Sequence, residues 1–470
     1  MKFTSPIVIG LEVHAELNTK TKLFCSCPTK GSEEPNTRTC EICLGMPGAK
    51  PVLNKKAVEF GIKLGLAINC DIAPELIFSR KSYFYPDLAK NYQITQYEIP
   101  LGNKGNIALP DGKLVGISRI HLEEDPASLV HPSGIHGSQY VLVDYNRNGN
   151  PLIEIVSRPE MYSASEAREF MKQLIAILEY LDIFDVNKGI IKADANVSIK
   201  KSDYTRVEIK NITGFKEIEH ALNYEIARQK SEVEKNNRIV QETRGWNSEK
   251  GFTYSMRTKE TEDDYGYIID SDLVPIEITE EMISQVRKSL PELPQEKKER
   301  FMRDYKIPED NALVISSDKH LADLFERCAS KVNPILAGKW IRRELIRVLN
   351  FNAKTFSEAN LDEKNFVSLL ELIDKNQITE KVGQRIIEKL IVENFDVHEY
   401  VKKEGLVMIS DESDIEKICD DAIAESSEAV DSFKKGNEKS INFIVGIVMK
   451  KSKGKAKPDL VMGILKRKIG

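Results

Sequence analysis

A strict alternation of apolar and polar residues opens the chain. In IGLEVHAEL, Ile9–Leu17, the odd-numbered positions are apolar, whereas Gly10, Glu12, His14 and Glu16 hold the even-numbered ones. This two-residue period predicts a half-buried β-strand. An ordinary solvated strand face carries mostly Thr, Ser, Lys or Arg. Carboxylates and an imidazole that point the same way therefore indicate a functional face.

Four later segments repeat this pattern of charged and amide side chains on one strand face. They contribute Lys192, Asp194, Asn196 and Ser198 in IKADANVSIK, Arg206, Glu208 and Lys210 in TRVEIKN, Arg119, His121 and Glu123 in RIHLEED, and Glu154 in NPLIEIVSRPE. One such strand is explained well by a solvated face with salt bridges. Carboxylates on four or five strands of one sheet repel each other unless a cation lies among them. An oxygen-rich set with one His suits Mg²⁺ or Mn²⁺, which commonly serves phosphate chemistry.

The rest of the pattern predicts an α+β fold followed by helices. Helical periodicity appears in SASEAREFMKQLIAILEYL and GFKEIEHALNYEIARQKSEVEK, but strands and helices do not alternate regularly. We therefore expect a domain with a largely antiparallel sheet over residues 1–293. Helix follows helix over 294–405, and a small helical tail domain with a basic end covers 406–470.

Composition narrows the class of protein. Of the 470 residues, 41% are hydrophobic and 30% charged, and the net charge of -5 confines any RNA contact to a local basic patch. No apolar run approaches the roughly 20 residues that span a bilayer, and the N-terminus lacks a signal-peptide pattern. We expect a cytoplasmic protein without membrane contact.

Four of the seven cysteines are clustered. Cys25, Cys27, Cys40 and Cys43 form C-x-C-x12-C-x2-C, a spacing that suits a tetrahedral Zn²⁺ site in the loop 25–43. Four thiolates leave no open coordination position, so the metal is expected to be structural. Four ordinary buried thiols are the alternative, but such close pairing of cysteines is not expected by chance. Disulfides do not fit a cytoplasmic chain.

Three common nucleotide-binding or catalytic signatures are absent from the sequence. There is no G-x4-G-K-[ST] run and no G-x-G-x-x-G run, so any ATP is not held by a P-loop or a dinucleotide fingerprint. There is no G-x-S-x-G nucleophile elbow either.

Long stretches of the chain resemble a known family. IGLEVHAELNTKTKLFC, EPNTRTCEICLGMPGAKPVLNKKAVEFG, RKSYFYPDLAKNYQITQYEIPLG, HLEEDPASLVH, VDYNRNGNPLIEIVSRPE and DANVS…RVEIKNITGF are similar to the B subunits of aspartyl/glutamyl-tRNA amidotransferases, the GatB family. The resemblance extends over essentially the whole chain. It implies a cradle domain of glutamine-synthetase-like fold, followed by a helical domain and a tail domain.

The resemblance also implies an activity and partners. Members of the family use ATP to phosphorylate the side-chain carboxylate of Glu-tRNA(Gln) or Asp-tRNA(Asn), and ammonia then displaces the phosphate. An amidase partner, the A subunit, supplies the ammonia from glutamine, and a small C subunit braces the pair. This makes the expected enzyme an ATP-dependent carbon–nitrogen ligase that needs Mg²⁺.

Site residues follow from the matching motifs. Glu12, His14, Glu124 and Glu154 are expected to be catalytic, and the same residues with Glu123 are expected to hold Mg²⁺. ATP and the acyl phosphate are assigned to the next strands, through Asp194, Asn196, Arg206, Glu208 and Lys210. The basic run near the C-terminus is expected to contact tRNA through Lys450, Lys451, Lys453, Lys455 and Lys457.

Two segments depart from the family pattern. VNKGIIKA places Lys192 and Ala193 where many relatives have Arg and Cys, and DYGYIIDSDL has Gly266, Ile268 and Ile269 in place of the usual residues. These departures affect the expected contacts with the substrate. They do not change the reaction class that the resemblance implies.

Two other functions compete with the ligase hypothesis. A non-catalytic, zinc-stabilised tRNA-binding subunit would not need the acidic strand faces. A free-standing small-molecule ligase would not need the helical domain and the lysine-rich tail.

Overall fold

A computed structural model describes residues 3–134, 138–185, 189–258, 265–356, 358–359, 361–409, 412–437 and 439–470. The chain divides into two compact units, Met1–Leu293 and Pro294–Gly470. The predicted division of the second unit near residue 405 stays a prediction.

The first unit contains all the strands of the described chain. They are β1 Ile7–Glu16, β2 Asp71–Ile72, β3 Glu75–Leu76, β4 Ser79–Ser82, β5 Tyr92–Thr95, β6 Gly102–Asn103, β7 Asn106–Ala108, β8 Leu114–Glu124, β9 Ser128–Val130, β10 Leu142–Asp144, β11 Pro151–Ser157, β12 Ile191–Ile199, β13 Val207–Thr213, β14 Glu242–Asn247, β15 Phe252–Thr258, β16 Ile268–Ile269 and β17 Ile276–Glu277. Ten of them form the central sheet, in the order β15-β14-β13-β12-β1-β11-β8-β6-β2, with β7 also paired to β8.

The central sheet is mixed: it is largely antiparallel, as the sequence predicted, but contains one parallel pair. Every described pair in it is antiparallel except β13 and β14, which run parallel. The reason is the helix between them, because a helical crossover returns the chain to the same end of the sheet. The broad α+β architecture is thus confirmed, and the likeness to glutamine synthetase stays a prediction.

Helices cover the apolar face of the central sheet. The first unit has α1 Lys55–Ala67, α2 Ala164–Tyr180, α3 Phe215–Glu234 and α4 Glu280–Lys288. Ser163 caps α2 by accepting a hydrogen bond from the backbone N–H of Glu166. The odd-numbered residues of β1 pack into the same core as the apolar residues of α2 and α3. Burial of this face fixes the strand register, so the polar residues of β1 all point to the other side.

The second unit is helical throughout its described residues. Its helices are α5 Pro294–Asp304, α6 Glu309–Ser316, α7 Lys319–Ala329, α8 Pro334–Trp340, α9 Ile346–Phe351, α10 Glu363–Asp374, α11 Glu380–Leu390, α12 Val397–Lys403, α13 Glu412–Glu425, α14 Ser427–Lys434, α15 Ser440–Lys451 and α16 Pro458–Ile469. A π-helical segment, Ile341–Leu345, joins α8 to α9. Within the described residues, no helix has the length and apolarity to cross a membrane.

Candidate active site and cysteine centre

The polar face of β1 lies at the middle of the central sheet. Residues directly opposite each other on paired strands point to the same face. His14 lies opposite Glu154 of β11 and Lys192 of β12, and Glu12 lies opposite Asp194. Glu154 in turn lies opposite His121 of β8. The strand faces that the sequence singled out are therefore neighbours on one surface.

Two groups of three potential metal ligands share one carboxylate. Glu12, His14 and Glu154 form the first group, and His121, Glu123 and Glu154 form the second, with the ligand atoms of each group within 4.8 Å of one another. His14 Nε2 lies 3.3 Å from Glu154 Oε2 and 3.5 Å from Glu123 Oε1. His121 Nε2 lies 3.4 Å from Glu154 Oε2. We call these five residues the acidic cluster.

Part of the acidic cluster is buried with unused hydrogen-bonding capacity. His121, Glu123 and Glu154 are each only 3–4% exposed. Glu154 Oε1 accepts no hydrogen bond among the described residues, and His121 Nδ1 has no partner there either. Arg119 Nη2 lies 3.7 Å from Glu154 Oε1, which is beyond hydrogen-bond distance. A buried carboxylate oxygen without a donor is costly, and a bound cation would remove that cost.

The electrostatics of the acidic cluster favour a positive charge at its centre. Burial, and then the neighbouring carboxylate of Glu154, raise the pKa of Glu12 from 4.5 to about 7. Burial alone would lower the pKa of His14, but its hydrogen bond with Glu154 and the charge of Glu123 raise it to about 10. The protonated imidazole of His14 thus neutralises part of the carboxylate charge at neutral pH. A divalent cation can take over this role.

A second polar group lies beside the acidic cluster on β12 and β13. Lys210 Nζ donates to Asp194 Oδ2 at 2.7 Å and lies 3.6 Å from Glu208 Oε1. Burial opposes the charge of Lys210, yet Asp194 and Glu208 raise its pKa above the ordinary lysine range. Thr243 Oγ1 donates to Glu208 Oε2 at 2.8 Å. Lys210 is therefore a fixed positive charge on the face that carries Glu12.

Asn196 and Arg206 were also assigned to this group, and they differ in their position on the sheet. Asn196 lies opposite Glu208 and Gly10, so it belongs to the same face of the sheet. Arg206 precedes β13 and is exposed at the end of that strand.

The structure does not bring Glu124 into the acidic cluster. Because Glu123 and Glu124 are adjacent in β8, their side chains point to opposite faces. Glu124 Oε2 accepts a hydrogen bond from Lys90 Nζ at 2.7 Å, and Oε1 accepts from the backbone N–H of Ile94 at 2.8 Å. Both Lys90 and Glu124 are largely buried, so they form an internal ion pair.

His121 and Arg119 belong to the site although the sequence assigned neither of them a role. The alternation with Glu123 was the available signal, since all three side chains share one face of β8. Thr95 Oγ1 also lies 3.4 Å from Glu123 Oε2. Thr95 comes from β5, a strand of another sheet, and no periodicity could have placed it there.

The four clustered cysteines converge in the loop after β1. Their sulfur atoms lie within 4.8 Å of one another, and Cys40 Sγ is 3.9 Å from Cys43 Sγ. Zn–S bonds of about 2.3 Å in a tetrahedron place sulfurs nearly 4 Å apart, so the four cysteines fit zinc. All seven cysteines are free thiols, and Cys70, Cys328 and Cys419 are buried apart from the cluster.

The thiol of Cys43 has a lowered pKa within the cysteine cluster. A hydrogen bond from Cys25, together with the backbone of Cys40 and the charge of Lys22, lowers the pKa of Cys43 to about 5. Burial raises the pKa of Cys27 to about 11. A bound metal ion favours the thiolate form of its cysteine ligands.

The C-terminal lysines lie around the connection between α15 and α16. Lys450 and Lys451 end α15, and Lys457 precedes α16. Lys450, Lys453 and Lys457 are exposed, whereas Lys455 is partly buried. Lys451 Nζ forms a 2.6 Å ion pair with Glu425. Lys451 is nevertheless exposed, so the patch presents four lysines to solvent, one of them paired with Glu425.

The two departures lie in different sheets, the central sheet and the three-stranded sheet of β16, β4 and β5. Lys192 is exposed and lies opposite His14, and the first residues of that segment, Val186 to Lys188, lie outside the described residues. Ile268 and Ile269 form β16, pair with β4, and are 56% and 55% exposed.

The family models and the relatives that this chain matches all point to the same family. A family model described as the GatB/GatE catalytic domain matches residues 7–284, and one described as a GatB domain matches residues 323–469. The chain is 45% identical, over 98% of both chains, to the B subunit of the aspartyl/glutamyl-tRNA(Asn/Gln) amidotransferase from Caldanaerobacter subterraneus. It is 43% identical to the protein of the same name from Saccharolobus solfataricus, over 99% of both chains. The chain therefore belongs to the GatB family.

Proposed function

We propose that this chain is the B subunit of a tRNA-dependent amidotransferase. In the proposed reaction, the side-chain carboxylate of Glu-tRNA(Gln) or Asp-tRNA(Asn) attacks the γ-phosphorus of ATP, which forms an acyl phosphate and releases ADP. Ammonia then attacks the acyl carbon, phosphate leaves, and the amide remains on the tRNA. The family membership and the names of the relatives support this reaction.

The observation that carries the proposal is the acidic cluster on the face of the central sheet. A binding module has no need to bury His121, Glu123 and Glu154 around an oxygen atom without a donor. Phosphoryl transfer from ATP needs such a face, because catalysis there is largely positioning and charge stabilisation.

In this proposal, Mg²⁺ would be held by Glu12, His14, Glu123 and Glu154, with His121 beside them. When bound, Mg²⁺ offsets the charge on phosphate oxygens. The donors are mostly carboxylate oxygens, which Mg²⁺ prefers. Glu124 is expected to act through its ion pair with Lys90, since its carboxylate faces away from the cluster.

The neighbouring polar group is proposed to face the phosphates and the acyl group. Lys210 supplies a fixed positive charge that Asp194 and Glu208 orient, and Asn196 adds an amide on the same face. Arg206 lies further out, at the exposed end of β13, where a guanidinium can meet a phosphate from solvent. In this proposal, these residues hold and orient the substrate. The acidic cluster lowers the activation barrier of phosphoryl transfer.

The remaining parts of the proposal concern partners and zinc. An amidase A subunit would supply ammonia, and a small C subunit would complete the assembly. Zn²⁺ would hold the loop 25–43 through Cys25, Cys27, Cys40 and Cys43. The tRNA would be held partly through the basic patch, Lys450, Lys451, Lys453, Lys455 and Lys457, which suits backbone contacts.

The test uses the full chain with its A and C partners, misacylated Glu-tRNA(Gln) or Asp-tRNA(Asn), ATP, Mg²⁺ and free ammonium. Wild type is expected to form the amidated tRNA. Glu12→Gln is expected to lower the rate at least ~100-fold, since it removes one carboxylate of the cluster. Glu249→Gln is the matched control, because Glu249 lies in an exposed turn, and it should leave the rate unchanged.

Two outcomes would overturn the proposal. Equal rates for wild type and Glu12→Gln would separate the chemistry from the acidic cluster. Tight binding of the tRNA by wild type without any product from either tRNA would leave a non-catalytic binding subunit as the better description.

A further inference from the structure

A buried lysine lies against the cysteine cluster. The side chain of Lys22 is fully buried, at 0% exposure. Its Nζ lies 3.8 Å from Cys43 Sγ and donates to the backbone carbonyl of Tyr145 at 3.2 Å. A buried ammonium group is costly unless a negative charge or several hydrogen bonds compensate it. A single carbonyl and one sulfur atom compensate it well only if that sulfur is a thiolate.

The four-cysteine centre with zinc bound would supply the negative charge that the Lys22 ammonium requires. Zn²⁺ with four thiolates carries a net charge of about −2, which is itself unfavourable in a buried loop. The backbone N–H of Cys40 donates to Cys43 Sγ at 3.1 Å and offsets part of that charge. Lys22 brings a full positive charge to the same sulfur. The ammonium and the loaded centre therefore compensate each other.

The packing around Lys22 joins three segments of the chain. The backbone N–H of Lys22 donates to Cys27 O at 2.9 Å, and that of Leu23 donates to Gly149 O at 2.8 Å. Gly149 has a φ of +84°, and a Cβ there would lie 3.4 Å from Lys22 Cδ. Asn148 Nδ2 donates to Cys43 O at 2.5 Å. The turn 145–150 leads directly into β11, the strand that carries Glu154.

We propose that Lys22 is the counter-cation of the cysteine metal centre and that it fastens this centre to the turn before β11. Lys22 would be a positioning residue, since it touches one metal-binding sulfur and one backbone carbonyl. The proposal rests on the zinc site proposed above. It assigns to the centre a second task, which is to hold the strand that bears Glu154.

The test measures zinc affinity on the full chain by competition with a chromogenic chelator. Lys22→Met keeps the length and apolar stem of the side chain but removes its charge, and it is expected to weaken zinc binding about 10–100-fold, as loss of outer-shell partners commonly does. Lys22→Arg retains the charge and should lose less. Lys20→Met is the matched control, because Lys20 is exposed two residues earlier, and it should bind zinc like wild type.

A second measurement separates charge compensation from simple packing. If Lys22 compensates the loaded centre, zinc removal leaves its ammonium uncompensated in wild type but not in Lys22→Met. Zinc removal should therefore lower the melting temperature more in wild type than in Lys22→Met. A lysine that only fills space would give equal losses. Circular dichroism before zinc removal checks that both proteins are folded.

The outcomes distinguish this inference from the zinc proposal itself. A wild-type chain that holds no zinc would refute the proposed zinc site and this inference with it. Wild-type zinc affinity in Lys22→Met, or equal losses of melting temperature, would refute the role of Lys22 and leave the zinc site standing.

Discussion

At the scale of single residues, the site is a balance of opposing charges on buried carboxylates and histidines. Glu154 is shared by both ligand groups, and its Oε1 has no hydrogen-bond donor among the described residues. Glu12 is held beside it at a raised pKa. A carboxylate held at a raised pKa reduces the free energy of unfolding where it is ionised, and such groups are typical of functional sites.

The raised pKa of Glu12 predicts a pH-dependent effect of removing its charge. Glu12 ionises near pH 7 in the fold and near 4.5 in a model compound, so its ionisation opposes folding increasingly as pH rises through this window. Without divalent cations, Glu12→Gln should raise the free energy of unfolding at pH 8 by up to about 3 kcal/mol, and by little at pH 4. Thermal melts in EDTA at both pH values measure this difference.

The control for this prediction is the exposed carboxylate Glu249, whose change to Gln should not alter the melting temperature at either pH. An equal gain for Glu12→Gln at pH 4 and pH 8 would show that the ionised form of Glu12 is not the source of the cost.

The sequence predicted which strand faces form the site, but it did not predict every residue of the acidic cluster. Alternation in β1 placed Glu12 and His14 on one face, and the register brings Glu154 and Asp194 beside them. The same alternation separates Glu123 from Glu124, which a family motif alone does not reveal. Partners such as Thr95 come from a different sheet, and only the folded chain brings them close.

At the scale of elements, pairing between distant strands was the least predictable feature. Residue pattern identified β1, β12 and β13 because each has one buried face. It did not predict that β14 would run parallel to β13, since strand order depends on how α3 packs rather than on the strand's own residues. Two-residue strands such as β2 and β6 are too short to give any period.

Helix α1 packs closely on the central sheet at Gly61. There, a change to Ala should destabilise the fold, although Ala has the higher helix propensity. A Cβ at Gly61 would overlap Leu101 Cδ2, and Leu101 is fully buried, so its displacement would disturb the surrounding core. Gly61→Ala should therefore lower the free energy of unfolding by about 1–3 kcal/mol, despite a propensity gain of about 1 kcal/mol. Urea unfolding followed by circular dichroism measures this change.

The matched control is a helical glycine in open space. Gly446 of α15 is exposed and nothing lies within 4 Å of its added Cβ, so Gly446→Ala should stabilise its helix by roughly 0.5–1 kcal/mol. Stabilisation by Gly61→Ala as well would mean that α1 does not pack as closely as described.

At the scale of the whole molecule, the chain combines a unit that holds the proposed active site with a helical unit that carries the basic patch. The acidic cluster and the cysteine centre both lie in Met1–Leu293, whereas Lys450 to Lys457 lie in Pro294–Gly470. A net charge of -5 with lysines concentrated near one end suits a protein that contacts RNA locally.

The central claim is that the acidic cluster binds a divalent cation, and Mn²⁺ binding measured by electron paramagnetic resonance tests it most directly. The full chain is first loaded with zinc, so that the cysteines do not compete for the probe. Wild type and Glu249→Gln are expected to hold Mn²⁺ equally. Glu154→Gln is expected to lose it, because Glu154 belongs to both ligand groups. Equal Mn²⁺ binding by Glu154→Gln and wild type, or none by wild type, would contradict the account.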